Sequence, residues 1–186
     1  MRLFQLTNFT LFIGYWVFMI IAYSTLPDQI PIHFGADGDA TRFSGTSIFS
    51  WFFLPTLVSI IMLFILYLNR VNINMPLDSP WYNYPFKERI LKLDEEQWQP
   101  FKSLLNRHVG LLVHTTFFWM ILLFLGVDIY SYIYTTTEHS ISLFPFLIVH
   151  LLLIGVYVVW WSVRLKKRIG LKLSEDDEKS LVGQGP

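Results

Sequence analysis

The sequence predicts an all-α protein: a four-helix transmembrane bundle with both termini in the cytoplasm and one ordered extracytoplasmic loop. The chain of 186 residues is 53% hydrophobic and only 15% charged, whereas soluble domains average about a quarter charged residues. The charged residues also collect in short blocks that leave long uncharged runs between them. A third observation, the uneven placement of lysine and arginine, predicts the orientation.

Four apolar windows account for the bundle. Each is long enough to cross ~30 Å of hydrocarbon as a helix, and they are residues 9–26, 48–68, 109–134 and 143–163. Helices are expected because the strands of a membrane barrel would appear as short alternating segments. The first window is long, aromatic-rich and followed by three more, which favours a retained span over a cleaved signal peptide.

Basic residues predict which connections are cytoplasmic. Thirteen of the fourteen lysines and arginines lie before the first window, between the second and third, or after the fourth. Only Arg42 lies in the loop 27–46, so this loop is predicted to be outside. The chain then divides into a span-loop-span unit (1–70), a cytoplasmic connection with a short helix (71–108), a transmembrane hairpin (109–163) and a basic then acidic cytoplasmic tail (164–186).

The cytoplasmic connection contains a helix start. Asp94 can cap a helix, and Gln97 three residues later completes a capping box. Pro100 follows closely and cannot donate a backbone hydrogen bond. We therefore expect a short helix after Asp94 and a second helix that begins at Pro100 and runs into the third span.

The loop between the first two spans reads as an ordered element. Pro27 and Pro31 fix their own φ angles and hold the preceding residues in extended conformations. The glycines that follow, Gly38 among them, supply turn chemistry. An extended limb followed by a turn should hold His33 and Phe34 near the membrane surface, where they are candidate ligand-binding or structural residues.

The stretch from Leu26 to Phe34, with Gly38 after it, resembles the signature LP-x-x-[IV]-P-x-H-[FW]…G of a bacterial membrane family, the domain of unknown function sixteen-forty-eight. The same domain forms the N-terminal part of immunity proteins that protect cells from the sporulation-delaying-protein toxin. The resemblance covers the span-loop-span unit. Relatives often continue with a tryptophan and a serine-lysine pair, where this chain has Phe43 and Thr46. The resemblance implies the fold of this unit, a bacterial inner-membrane location, and a role in immunity or signalling.

His33 is the titratable side chain within the loop motif. It could act as a pH-sensitive or metal-binding group outside the membrane, or it could pin the loop by a hydrogen bond to Asp28 or a backbone carbonyl. Asp37 and Asp39 resemble a fragment of a calcium loop, but the other ligands and the closing glutamate are missing. The chain contains no cysteine, which excludes thiolate metal sites. We expect neither a metal nor a cofactor.

Ionisable residues within the third and fourth spans form a second candidate site, because such residues are rare in membranes and face protein or water. Asp128 and His150 lie six and seven residues from the ends of their spans, so both are roughly 9–10 Å deep at the helical rise. This predicts a carboxylate–imidazole pair. His114 shares the face of Asp128, and Tyr157 follows His150 by seven residues. The resulting polar seam could be a proton path, a ligand pocket or a set of interhelical hydrogen bonds.

Two functional hypotheses remain open from the sequence. No phosphate-binding loop, zinc-protease helix or serine-nucleophile elbow is found, and no basic domain points to nucleic acid. The first hypothesis is a non-enzymatic bacterial inner-membrane protein that recognises an extracytoplasmic peptide or toxin. The alternative is a proton- or ion-coupled carrier, or a membrane enzyme, that uses Asp128, His150 and His114. A water-filled cavity reaching Asp128 would favour the alternative, and a packed bundle with an exposed aromatic loop would favour recognition.

Overall fold

The computed structural model describes residues 2–35, 37–137 and 142–182, which are mostly helical. Within these ranges four helices are long and apolar enough to cross a membrane, so the predicted helical, four-span fold class is confirmed. The elements in chain order are α1 (Arg2–Tyr23), β1 (Gln29–Phe34), β2 (Ala40–Gly45), α2 (Ile48–Asn74), α3 (Lys87–Ile90), α4 (Glu95–Thr137) and α5 (Phe144–Val182).

The loop between α1 and α2 folds as an antiparallel β-hairpin, which adds two short strands to the otherwise helical chain. Pro31 pairs with Phe43 and His33 pairs with Arg42, so Ile32 is an extra residue on β1. A second irregularity follows on β2 before the strands end. Proline is tolerated at such bulges because the regular ladder of backbone hydrogen bonds is already interrupted there.

Backbone hydrogen bonds close the hairpin at both ends. At the tip, the Gly35 amide donates to the Asp39 carbonyl (2.8 Å) and the Gly38 amide donates to the Gly35 carbonyl (3.1 Å). Gly38 has a φ of 94°, a conformation that a side chain would strain. At the base, the Thr46 amide donates to the Asp28 carbonyl (2.8 Å), and the Thr46 hydroxyl donates to the Pro27 carbonyl (2.5 Å). The hairpin is therefore an ordered element, as the sequence predicted.

Helix α4 begins where the capping box predicted. The Gln97 amide donates to Asp94 Oδ1 (2.9 Å), and the Asp94 amide donates to Gln97 Oε1 (3.2 Å). The second helix start predicted at Pro100 is wrong, because α4 continues through this residue without a break. One lost backbone hydrogen bond near a helix end is offset by packing, since the adjacent Phe101 and the nearby Leu105 are both fully buried.

The described chain forms two compact units. Unit 1 comprises Met1–Leu66 and Val113–Ile154 and contains the hairpin. Its core includes Tyr15, Met19, Ile30, Trp51, Val58, Phe117 and Ile121. The Trp51 indole donates to the Met19 carbonyl (2.9 Å), so the polar atom of this large buried side chain has a partner.

Unit 2 comprises Tyr67–Leu112 and Gly155–Pro186 and has a separate apolar core. The Tyr84 hydroxyl is buried in this core and donates to the Leu77 carbonyl (3.2 Å). Burial, followed by the nearby Tyr82 and Asp78, raises the pKa of Tyr84 to about 12. The hydroxyl therefore remains a hydrogen-bond donor at neutral pH.

Candidate functional site

Two tyrosines of α4 hold the tip of the hairpin. Tyr130 and Tyr134 are four residues apart, which places them on the same helix face. The Tyr130 hydroxyl donates to the Gly38 carbonyl (2.5 Å), and the Tyr134 hydroxyl accepts from the Ala40 amide (3.2 Å). The tip of the hairpin is thus fixed to the helix by its backbone.

The motif residue Phe34 packs between the same two tyrosines. Its ring centroid lies 5.0 Å from that of Tyr130 and 5.5 Å from that of Tyr134, at interplanar angles of 65° and 83°. Edge-to-face contacts of this kind add to the stabilisation that burial provides. Ile30, also on β1, is fully buried in the core of unit 1. The hairpin is therefore docked on the bundle through apolar residues of the loop motif.

His33 is exposed and hydrogen-bonds within the hairpin. Its Nδ1 lies 2.5 Å from the Thr41 hydroxyl on the opposite strand. This contact fits the interpretation that His33 stabilises the loop. Its partner is the Thr41 hydroxyl rather than the predicted Asp28 or backbone carbonyl. Among the described residues, no group of three or more histidines, cysteines or carboxylates could hold a metal ion.

The hairpin presents its remaining surface away from the core. Phe43 on β2 is 50% exposed, and it borders a groove of about 390 Å³ that Pro31, Tyr134 and Thr135 also line. Residues 27–46 contain three aspartates against one arginine, a net charge of −2 with histidine neutral. The groove thus has two aromatic side chains, Phe43 and Tyr134, and the segment that forms the hairpin carries a net negative charge.

The carboxylate–imidazole pair predicted between Asp128 and His150 is wrong. The Asp128 carboxyl group accepts a hydrogen bond from the Tyr15 hydroxyl of α1. His150 Nε2 donates instead to the Trp119 carbonyl (2.8 Å), and its ring lies 5.5 Å from that of Phe146. The depth count concerns only the level of each residue within its span, and Asp128 faces α1 rather than α5.

His114 contacts the first helix as well. Gln5 Nε2 lies 3.2 Å from His114 Nε2, and Asn8 Nδ2 donates to the His114 carbonyl (2.7 Å). His114 and Asp128 share a face of α4, as predicted from their spacing, but this face is paired with α1. Two buried atoms there, Asn8 Oδ1 and His114 Nδ1, have no hydrogen-bond partner among the described residues.

Tyr157, the fourth residue of the predicted seam, belongs to unit 2. Its hydroxyl oxygen is buried and has no hydrogen-bond partner in the described part of the chain. Its ring lies 6.1 Å from that of Trp160, and the Arg164 guanidinium lies 4.8 Å from the Trp160 ring. Cation–π contacts of this type are favourable over tryptophan.

Sequence reasoning missed the residues that complete these contacts: Asn8, Tyr15, Thr41, Tyr130 and Tyr134. Two spacings carried a signal. Tyr130 and Tyr134 are separated by one helical turn, and Asn8 and Tyr15 by seven residues, so each pair shares a helix face. No signal in the sequence indicated which face of α1 meets α4.

The four apolar helices, the first two of which are connected by the hairpin, indicate a multi-pass membrane protein. Residues 10–59 match the model of a family described as "Domain of unknown function (DUF1648)". The matched segment begins in α1, contains the whole hairpin and ends in α2. Neither the curated proteins nor the solved structures gave a match to the chain.

Proposed function

We propose that this chain is a non-enzymatic bacterial inner-membrane protein that binds a cationic peptide at the extracytoplasmic groove beside its hairpin. The observation that carries the proposal is the rigid attachment of the hairpin to α4 through Phe34, Tyr130 and Tyr134. A surface that is ordered before binding loses less conformational entropy when the ligand arrives. Recognition of this kind would suit an immunity or signalling role.

The chemistry of the groove suggests the class of peptide. Phe43, Pro31 and Tyr134 offer apolar and aromatic contact, whereas Gln29 and Thr135 offer hydrogen bonds. Aromatic side chains, phenylalanine and tyrosine among them, are enriched at protein interfaces. The excess of aspartate in residues 27–46 favours a ligand with lysine or arginine beside an apolar side chain.

The proposal requires the hairpin to lie outside the membrane, as the basic residues predict. Because the chain contains no cysteine, single cysteines can report sidedness without background. A membrane-impermeant maleimide should label Phe43→Cys in intact cells. The same reagent should label Lys92→Cys only after the membrane is permeabilised. The reverse pattern would rule out an extracytoplasmic groove.

Binding can be measured with the full-length protein in lipid nanodiscs and a fluorescent synthetic peptide of alternating lysine and leucine. Phe43→Ser should weaken binding about tenfold or more, because burying a large apolar side chain contributes about 1.5–3 kcal/mol. Ile32→Ser is the matched control, since Ile32 is exposed on the same hairpin but is not among the residues that line the groove. Equal binding by wild type, Phe43→Ser and empty nanodiscs would contradict the proposal.

The carrier alternative loses its main support. It depended on Asp128, His150 and His114 acting as a relay, and the structure gives each of them a different partner. Asp128 lies in a packed part of the bundle, where it is only 6% exposed. The exposed aromatic side chain at the groove therefore favours recognition over transport.

A further inference from the structure

One face of α5 carries a basic groove at the point where the apolar part of the helix ends. Residues 143–163 contain no aspartate, glutamate, lysine or arginine, and four basic residues follow within the next five positions. The groove has a volume of about 470 Å³ and belongs to unit 2. Its lining residues are Trp160, Val163, Arg164, Lys167, Arg168 and Leu171.

Packing of α5 fixes which side chains face the groove. The six lining residues follow one another at alternate intervals of three and one, so they share one side of the helix. The opposite side packs into the apolar core of unit 2 through Leu165, Ile169 and Leu173, which are at most 5% exposed. The three basic residues of the groove are therefore held on the outer side of α5, and all of them are exposed.

The positive charge of the groove has no counter-charge among the described residues. None of the lining residues is acidic, and neither Lys167 nor Arg168 forms a hydrogen bond or an ion pair with any described residue. The acidic residues of the tail begin at Glu175, seven residues beyond Arg168, which is roughly 10 Å further along the helix. Three cations on adjacent turns therefore favour an anion that comes from outside this part of the chain.

Apolar side chains border the cations on the side of the span. Trp160 and Val163 are 49% and 63% exposed, and each lies one turn before a basic residue of the groove. The Arg164 guanidinium lies 4.8 Å from the Trp160 ring, a contact that holds its charge beside an apolar surface. Tryptophan, lysine and arginine are typical of the level at which lipid head groups meet hydrocarbon. A ligand that fills the groove needs an anionic head and an apolar chain.

From these observations we infer that the groove binds the head group of an anionic phospholipid. The lipid phosphate accepts hydrogen bonds from Arg164, Lys167 and Arg168, and the first part of an acyl chain packs on Trp160 and Val163. Arginine binds phosphate oxygens through two parallel hydrogen bonds, and lysine binds them as a point charge. The inference requires that the chain spans a membrane, and it does not depend on peptide binding at the hairpin.

Lipid binding can be measured by native mass spectrometry of the full-length protein in detergent. Phosphatidylglycerol and phosphatidylcholine with identical acyl chains serve as probes, because the first is anionic and the second is zwitterionic. Phosphatidylglycerol should bind about tenfold more tightly, since the choline group is repelled by the cations that attract the phosphate. Glycerol 3-phosphate, which has the phosphate without acyl chains, should not displace the lipid at equal concentration.

The basic run itself supplies a matched control. Arg168→Gln removes one cation of the groove and should weaken phosphatidylglycerol binding about fivefold, which corresponds to about 1 kcal/mol for one basic residue near the head groups. Lys166→Gln removes the same charge from an exposed residue that does not line the groove, so binding should change less than twofold. Both replaced side chains are exposed, so the core contacts of α5 remain intact in each variant.

The outcomes distinguish a site from general attraction between basic residues and anionic lipid. Equal losses in Arg168→Gln and Lys166→Gln would overturn the inference, and so would equal affinity of the wild type for the two lipids. Displacement by glycerol 3-phosphate would assign the groove to a soluble phosphate compound instead of a lipid. None of these results bears on the hairpin groove, because its lining residues belong to unit 1 and remain unchanged.

Discussion

Two polar contacts join the same pair of helices, and only one of them is complete. Tyr15 of α1 donates to Asp128 of α4, and neither side chain has a buried polar atom without a partner. Asn8 of α1 likewise donates to the backbone of His114 of α4, yet each of these side chains has one buried atom that no described residue satisfies. In both contacts a buried side chain of α1 donates to α4. They differ in whether every buried polar atom has a partner among the described residues.

This difference separates a contact in which every buried polar atom is paired from one in which two buried atoms are not. Buried polar groups in folded proteins are nearly always paired, so a complete pair such as Tyr15 and Asp128 is explained by stability alone. The pair also lies beside the tyrosines that hold the hairpin, since Tyr130 follows Asp128 by two residues. Asn8 Oδ1 and His114 Nδ1 are buried without a partner among the described residues, which makes the second contact less favourable than the first.

The largest predicted effect is at the complete pair. Tyr15→Phe removes the donor to Asp128 and should lower the free energy of unfolding in detergent by about 2 kcal/mol, because it leaves a buried carboxyl group without its partner. Adding Asp128→Leu should recover part of this loss. The coupling should be ~0.5–3 kcal/mol, the range for side chains in contact. Strictly additive effects would show that the two side chains do not stabilise each other.

The hairpin contact should show the next largest effect. Tyr130→Phe removes the hydrogen bond to the Gly38 carbonyl and should destabilise the docked hairpin by about 1 kcal/mol. Limited proteolysis in residues 27–46 should therefore become faster. Tyr132→Phe is the matched control, because its hydroxyl contacts Thr25 rather than the hairpin. Equal proteolysis of the two variants would mean that Tyr130 does not hold the tip.

At the incomplete contact, loss of a polar group should cost little. His114→Phe removes the bond to Gln5, which is exposed and can bind water instead, and it also removes the unsatisfied Nδ1. The two effects oppose each other, so the free energy of unfolding should change by less than about 0.5 kcal/mol. A loss as large as that of Tyr15→Phe would indicate that His114 stabilises the protein despite its unpaired atom.

The sequence predicted what depends on local chemistry and on the membrane. The spans followed from apolar length, the order of the loop 27–46 from its prolines and glycines, and the start of α4 from Asp94 and Gln97. The pairing of two strands within the loop was not predicted. The predicted helix start at Pro100 was wrong because the packing of Phe101 and Leu105, which offsets the lost hydrogen bond, depends on tertiary contacts that the local sequence does not show. The partner of Asp128 was also missed, since a depth count gives the level of a residue within a span and not the helix that it faces.

The smallest predicted effect is the coupling between Asp128 and His150. Their equal depth suggested a pair, whereas in the structure one binds Tyr15 and the other binds the Trp119 carbonyl. His150→Phe should cost about 1 kcal/mol for its own hydrogen bond, while the aromatic packing with Trp119 and Phe146 is preserved. Residues that share no partner have additive effects to within ~0.3–0.5 kcal/mol. The loss of unfolding free energy in the double variant His150→Phe with Asp128→Asn should therefore equal the sum of the losses in the single variants.

Thermal unfolding in detergent of the wild type, the two single variants and the double variant measures this coupling. A coupling as large as that between Tyr15 and Asp128 would show that α4 presents its carboxylate to α5, and the comparison of the two contacts along α1 would then no longer hold.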